Sequence, residues 1–209
     1  MQKPVKIGPQ EDRDIGNANP ITPGLIATWE MRDRYIFIMQ SGNKISAEQL
    51  LNNNTICYEK KISIFKEIVK CTIQLKHRGV FHRDLKPANI ILTETGEDVQ
   101  LIDFGVSSSH SEDVYRGVTG TFGYMAPEVM TQQWYLAEPV TVFSLGVILF
   151  RFVNMRMPFY TQHETIHRQE TWGRHHPQWV KDLGSAMMAK TPYLRPSLLE
   201  VYGTLTLNS

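Results

Sequence analysis

Apolar side chains arrive along this chain in short runs of differing period, and each period predicts an element. Between Gly24 and Gln40, "GLIATWEMRDRYIFIMQ", two apolar runs flank the polar triplet Arg32-Asp33-Arg34, predicting a hairpin with strands near 25–30 and 34–39. Ser46, followed by Glu48 and Leu50-Leu51, predicts a short capped helix, because a serine oxygen can accept from the first free amides. From Lys60 to Arg78, Ile62, Phe65, Ile68, Val69, Thr72 and Leu75 line one helical face. The basic turn His77-Arg78 complements the carbonyl end of that helix, and Gly79 stops it. Ile90-Ile91-Leu92 and Val99-Gln100-Leu101-Ile102 predict a second hairpin around "TETGED". Val142–Val153 is apolar nearly all round, the pattern of a helix buried at a domain centre. After it come short helical pieces broken by Pro158, Gly173, Pro177, Gly184, Pro192 and Pro196. Residues 1–20 are polar, rich in proline and glycine and without apolar period, which predicts a flexible tail or linker.

Composition narrows the picture without changing it. A chain of 209 residues, 42% hydrophobic and 21% charged, suits one domain with a useful core. Its 22 basic and 21 acidic residues leave a formal charge of +1, so no net field favours nucleic acid or an anionic membrane as partner. Cys57 and Cys71 lack CxxC spacing and read as reduced, partly buried thiols. The start "MQKPVKIGPQEDRD" carries no apolar signal core. The run Val140 to Val153 is interrupted by Thr141, Ser144, Gly146 and Arg151, and reads as too short and too polar to span a bilayer. A soluble cytoplasmic or nuclear protein is expected.

The chemistry concentrates in "FHRDLKPANI", residues 81–90. Asp84 and Asn89 lie five apart across a loop stiffened by Pro87, and Asp103-Phe104-Gly105 begins fourteen residues after Asn89. An acid, an amide and a second acid from separate loops make an oxygen cage for a hard divalent cation. Lys86 stands two residues past Asp84, within reach of a phosphate oxygen beside that acid. A metal cage, one base and one cation together suit in-line phosphoryl transfer to a hydroxyl.

"HRDLKPAN", "DFG" and "APE" (Ala126-Pro127-Glu128), in this order and spacing, resemble the eukaryotic-type protein kinase family, and Lys86 resembles its serine/threonine branch. The resemblance covers roughly residues 21–209. It implies an α+β, protein-kinase-like fold with a mainly helical C-terminal lobe and a residual small-lobe β-hairpin. On this reading residues 21–42 are small-lobe strands and hinge, and 43–209 are the large lobe. The implied catalytic set is Asp84, Lys86 and Asn89: Asp84 orients and deprotonates the acceptor hydroxyl, and Lys86 steadies the transferring phosphate. Asn89 and Asp103 would hold magnesium, while Met39 near the gatekeeper position, Ile91 beneath the adenine and Asp103 would line the ATP site. His82 and Phe104 would stack in the core coupling the two loops. Arg83 resembles the arginine that binds a phosphate on the activation segment, and Thr121 the threonine that bonds near the catalytic acid and lysine. Glu128 and Arg195 resemble a buried structural pair, whose loss would strand a charge at about 3–5 kcal/mol. ATP and Mg2+ are the implied cofactors, and a protein substrate or a complete kinase the implied partner.

Two departures qualify the implied activity. The sequence before the first hairpin holds no G-x-G-x-x-G, no V-A-I-K lysine and no helix glutamate to pair with one. Lys3 and Lys6 stand in the predicted tail, so an N-terminally truncated domain lacking the front half of the ATP site is expected. Thr141 occupies the place of an aspartate that ordinarily bonds the catalytic-loop backbone; a neutral hydroxyl there forgoes about 1–2 kcal/mol of preorganisation. Three readings follow: an active serine/threonine kinase, a non-catalytic decoy, scaffold or inhibitor of a complete kinase, or a fragment of a longer kinase.

The remaining features read more plainly. Ser107, Ser108, Ser109, Ser111, Tyr115, Thr119 and Thr121 suggest a polar surface loop, with Thr119 and Ser111 as candidate phosphorylation sites opposite Arg83. His163 and His167, and then His175-His176, have no acidic or cysteine partner at metal spacing and read as solvated. Trp134, Trp172 and Trp179 read as packing anchors, one of which could mark an interaction patch.

Overall fold

The computed structural model describes residues 21–30, 35–40, 44–53, 56–93, 98–109, 114–132 and 134–208. The expected tail with Lys3 and Lys6, the triplet Arg32-Asp33-Arg34, the middle of "TETGED" and Ser111 lie outside those residues.

The first hairpin forms where the alternation places it. β1 (Leu25–Glu30) and β2 (Tyr35–Met39) pair antiparallel, with Thr28 opposite Phe37 and a shift in register between Leu25 and Ala27. Gln40 N donates to Gly24 O at 2.7 Å and closes the open end. The consecutive residues Phe37, Ile38 and Met39 are all exposed, so both faces of this strand meet solvent. Just before β1, Ile21 is buried and its carbonyl accepts from Leu101 N at 2.8 Å, tying the start of the domain to a residue 80 positions on.

A three-stranded sheet in the order β3-β4-β5 follows, from Lys44–Ser46, Ile90–Thr93 and Val99–Leu101. The expected second hairpin is therefore present, with β3 added as a strand too short for its period to show. Ser46 then caps α1 (Ala47–Asn53), but with Gln49 rather than Glu48: Ser46 Oγ accepts from Gln49 N at 3.1 Å, and Gln49 Oε1 accepts from Ser46 N at 2.9 Å. Glu48 is left to pair with Arg151, 103 positions on.

α2 (Tyr58–His77) buries the whole expected face and ends on the left-handed Gly79, φ +69°. α4 (Ala137–Asn154) is the central helix, and Val142, Phe143, Leu145, Val147, Ile148, Leu149, Phe150 and Phe152 are each 0% exposed. The helix runs past the expected segment at both ends and is long and apolar enough to cross a bilayer, but 72% of it is buried inside the protein, the position of a core helix. α6 (Gln178–Met187) packs on α4, and α7 (Leu198–Leu207) on α2; the short helices α3 (Pro127–Thr131) and α5 (Gln162–His167) pack on each other.

The segment read as a polar surface loop is different. β6 (Val114–Arg116) pairs antiparallel with β7 (Trp134–Leu136), and both alternate exposed, buried, exposed. Tyr115 and Tyr135 point inward and stack at 6.1 Å, while Ser107 and Ser108 are also buried. Trp134 is 53% exposed and so is no packing anchor, whereas Trp172 lies against Phe150 at 4.8 Å. His176 is not solvated either: it is buried, and its Nε2 shares a 3.2 Å hydrogen bond with Asn154 Oδ1. Cys71 is buried and donates to Val99 O at 3.3 Å, and Cys57 is exposed; both are free thiols.

Candidate active site

The loop joining α2 to β4 carries the candidate acid, and its backbone is held at every turn. His82 is 2% exposed, and because a carbonyl only accepts, its Nε2 must donate to Ile102 O at 2.8 Å. Nδ1 is then the unprotonated nitrogen, facing the Asp84 amide at 3.4 Å. Phe104 lies against the same ring at 4.8 Å between centroids, tilted by 48° rather than stacked as the resemblance implies. Burial lowers the imidazole pKa; the Ile102 carbonyl, Asp84 and Asp103 only partly oppose it. The ring is a neutral strut between the loops of Asp84 and Asp103.

The next residues converge as their spacing suggests. Lys86 Nζ donates to Asp84 Oδ2 at 2.8 Å and to Thr121 Oγ1 at 2.6 Å, so one ammonium joins the acid to the activation segment. Pro87 opens the 3-10 turn Pro87–Asn89, where its missing amide costs nothing. That turn aims Asn89 Nδ2 at Asp84 O, 2.9 Å, and Asp84 Oδ2, 3.2 Å. Asp84 Oδ2 is thus doubly held, while Oδ1 is buried and takes no hydrogen bond among the described residues. Burial raises the Asp84 carboxyl, but the Lys86 ammonium and Thr121 outweigh it, and the acid sits below the usual carboxylate range. It is ionised at neutral pH, and Oδ1, although buried, is the oxygen that no hydrogen bond holds among the described residues.

Asp103 reaches the site by backbone rather than by side-chain contact. Ile102 N donates to Asn89 O at 3.0 Å, which places the following residue beside Asn89, and Asp103 itself is exposed in a left-handed conformation, φ +64°. The donor set fits magnesium in kind. Asn89 spends its amide nitrogen on Asp84, leaving its oxygen as the coordinating end, and Asp103 adds an accessible carboxylate. Magnesium takes few protein oxygens and keeps several waters, so two such ligands suffice. Ile91 is half-buried on β4 opposite Gln100, and Met39 ends β2, 44% exposed.

Gly120 shows how closely the activation segment approaches. Its φ is +116°, and a Cβ there would lie 3.0 Å from Arg83 O, so only glycine fits. Arg83 Nη2 donates to Thr119 Oγ1 at 3.0 Å and Tyr135 OH at 3.1 Å, and its guanidinium lies 4.8 Å over the Tyr115 ring. Tyr135 in turn donates to Gly117 O at 3.2 Å. The arginine expected to await a phosphate is already held by hydroxyls and a ring. Tyr115 reads in the sequence as one more surface-loop residue and Tyr135 carries no signal there, because three-residue strands are too short to show a period.

Further out, Arg195 and Glu128 form the expected buried pair, bidentate at 2.6 and 2.8 Å with side chains 0% and 2% exposed. Ala189 O and Pro139 O accept two further guanidinium protons, at 2.8 Å each, so four of the five N–H groups are hydrogen-bonded. Thr141 behaves differently from expectation. Its hydroxyl donates to Ala137 O, one helical turn back, at 2.8 Å, and makes no bond to the catalytic loop among the described residues. His163 and His167 lie on the exposed surface with rings 4.7 Å apart, and the described residues contain no cluster of three or more His, Cys, Asp or Glu able to hold a metal.

An acid, an amide and a lysine on one loop are joined through a buried histidine to a second acid, a set of groups of the kind phosphoryl transfer calls on. Comparison with known proteins agrees: the family model "Protein kinase domain" matches residues 21–204. The serine/threonine-protein kinase PEPKR2 of Arabidopsis thaliana is 31% identical over 146 residues, covering 68% of this chain and 30% of that protein. Sperm motility kinase 2B of Mus musculus is 28% identical over 191 residues, 88% of this chain and 39% of its own length. CBL-interacting protein kinase 19 of Oryza sativa subsp. japonica is 35% identical over 130 residues, 59% of this chain and 25% of its own. This chain belongs to the eukaryotic-type serine/threonine protein kinase family. It spans 25–39% of the length of these three relatives.

Proposed function

We propose that this chain transfers the γ-phosphoryl group of ATP to a serine or threonine hydroxyl of a protein. The observation that carries the reading is the geometry at Asp84. With Oδ2 held by Lys86 and Asn89, Oδ1 is the oxygen left to receive the acceptor's proton. Lys86, already bridging to Thr121, stands ready to neutralise charge on the moving phosphoryl group. Asn89 and Asp103 are the residues that would hold magnesium, which when bound offsets the charge of the triphosphate. Met39 and Ile91 would border the adenine. If so, purified chain with Mg-ATP phosphorylates itself or a generic protein substrate, and Asp84→Asn lowers incorporation by about 10²-fold or more. Equal incorporation by both proteins would overturn the reading.

A second reading has its own observation. The Thr141 hydroxyl makes no bond to the catalytic loop among the described residues, and the exposed apolar hairpin β1–β2 offers a surface to another protein. These favour a non-catalytic decoy, scaffold or inhibitor of a complete kinase. On that reading Mg-ATP leaves the melting temperature unchanged; a dose-dependent rise selects the first reading.

A further inference from the structure

Two residues next to or within the candidate site hold a backbone conformation that L-residues avoid. Arg83 and Asp103 have φ of +67° and +64°, where Cβ crowds the carbonyl oxygen. Such a conformation persists only when neighbouring contacts hold the adjoining peptide planes. For Arg83 the relevant plane is the His82–Arg83 peptide, whose rotation sets φ of Arg83 and therefore the direction of Asp84. The oxygen of that plane, His82 O, accepts a 3.0 Å hydrogen bond from Ser107 Oγ, and Ser107 is only 8% exposed. No other bond to His82 O occurs among the described residues.

Ser107 is itself fixed from both sides. Its amide closes a turn onto Phe104 O at 3.0 Å, the residue after Asp103. The next residue, Ser108, exchanges two backbone hydrogen bonds with Phe81, at 3.0 and 3.1 Å, as an isolated antiparallel bridge. The hydroxyl thus lies between a turn that belongs to the Asp103 loop and a peptide that belongs to the Asp84 loop. On α4 the Thr141 hydroxyl is spent on Ala137 O and makes no bond to this loop among the described residues.

We propose that Ser107 is a positioning residue for phosphoryl transfer: its buried hydroxyl pins the His82–Arg83 peptide to the Asp103 loop and holds Asp84 in register with Asp103. The proposal rests on the functional reading above, but its geometry can be tested without turnover. Removing the hydroxyl frees the peptide to rotate, lets Arg83 relax toward negative φ, and swings Asp84 off Lys86. Displacement of the Phe104 turn would reach Asp84 by the same route.

The experiment compares wild type, Ser107→Ala and Ser107→Thr in the full chain, by amide hydrogen exchange and by phosphoryl transfer from Mg-ATP. One lost hydrogen bond corresponds to about a tenfold change in a local opening equilibrium. Ser107→Ala should therefore speed exchange of the Arg83, Asp84 and Leu85 amides about tenfold while leaving α4 and α7 unchanged, and Ser107→Thr should restore protection. Where transfer is measurable, kcat should fall about tenfold in Ser107→Ala with KM for ATP unchanged. Unchanged exchange in the loop, or a uniform increase over the whole chain, would overturn the proposal. A wild type that transfers nothing yet shows the localised exchange change would sink the functional reading and leave the clamp standing.

Discussion

The neutral imidazole of His82 links two loops only while it stays neutral, since Nδ1 faces the Asp84 amide with its lone pair. Protonation would turn that acceptor into a second donor facing an N–H. His176 shares the constraint for another reason: burial first, then His175, Lys181 and Lys61, all hold its pKa below the ordinary histidine value. Both folded pKa values are therefore lower than the unfolded value near 6.5. Between the folded and unfolded values only the unfolded chain binds these protons, so stability falls as pH drops through about 6.5. Each such proton is worth about 1.4 kcal/mol per pH unit. Thermal melts should show lower stability at pH 5 than at pH 7, and His176→Phe should shrink that difference. An unchanged pH difference in the variant would show that His176 does not carry the effect. Asp84 works in the opposite sense: its lowered pKa favours the fold above the usual carboxylate range, and that contribution is lost only in stronger acid.

The helices pack through positions where side-chain volume, not propensity, decides. Gly146 lies in α4 where α6 crosses it, and a Cβ there would sit 2.8 Å from Met188 Cγ and 2.9 Å from Met187 Cβ. Gly203, inside α7, has nothing within 4 Å of its missing Cβ. Helix propensity alone would favour alanine at either site by about 1 kcal/mol. Gly203→Ala should accordingly raise stability by about 0.5–1 kcal/mol, whereas Gly146→Ala should lose about 1–3 kcal/mol to overpacking. Chemical denaturation checks both; stabilisation by Gly146→Ala would show that Met187 and Met188 yield freely. The strands show a related dependence on context. β6 and β7 have three residues each, too few to declare a period, and they exist because Tyr115 and Tyr135 meet beneath Arg83.

Taken as a whole, the molecule buries its large helical part well and its first hairpin poorly. Ile26 is 63% exposed and Phe37 51%, an apolar surface of the kind that associates in water. In sedimentation velocity at tens of micromolar, roughly, the purified chain should self-associate, and the double variant Ile26→Lys, Phe37→Glu should shift it toward monomer without changing its far-ultraviolet circular dichroism. A wild type monomeric throughout that range would show that this face is tolerated in solution.

Much of this was written in local pattern. The α2 face, the buried α4 and both expected hairpins follow from spacing, because period and burial are linked wherever an element is long enough to repeat. Asp84, Lys86, Asn89 and Asp103 were likewise legible, since their residue types and intervals are themselves the requirement of the chemistry. Tertiary structure alone decided what each polar group bonds to. A hydroxyl has no sequence signature for its partner: Thr141 turned back to its own helix, Thr119 and Tyr135 took the Arg83 guanidinium, and Ser107, read as one more surface serine, went inside to grip His82. Those choices depend on which unpaired donor or acceptor folding brings within about 3 Å, a distance set by packing between residues far apart in the chain.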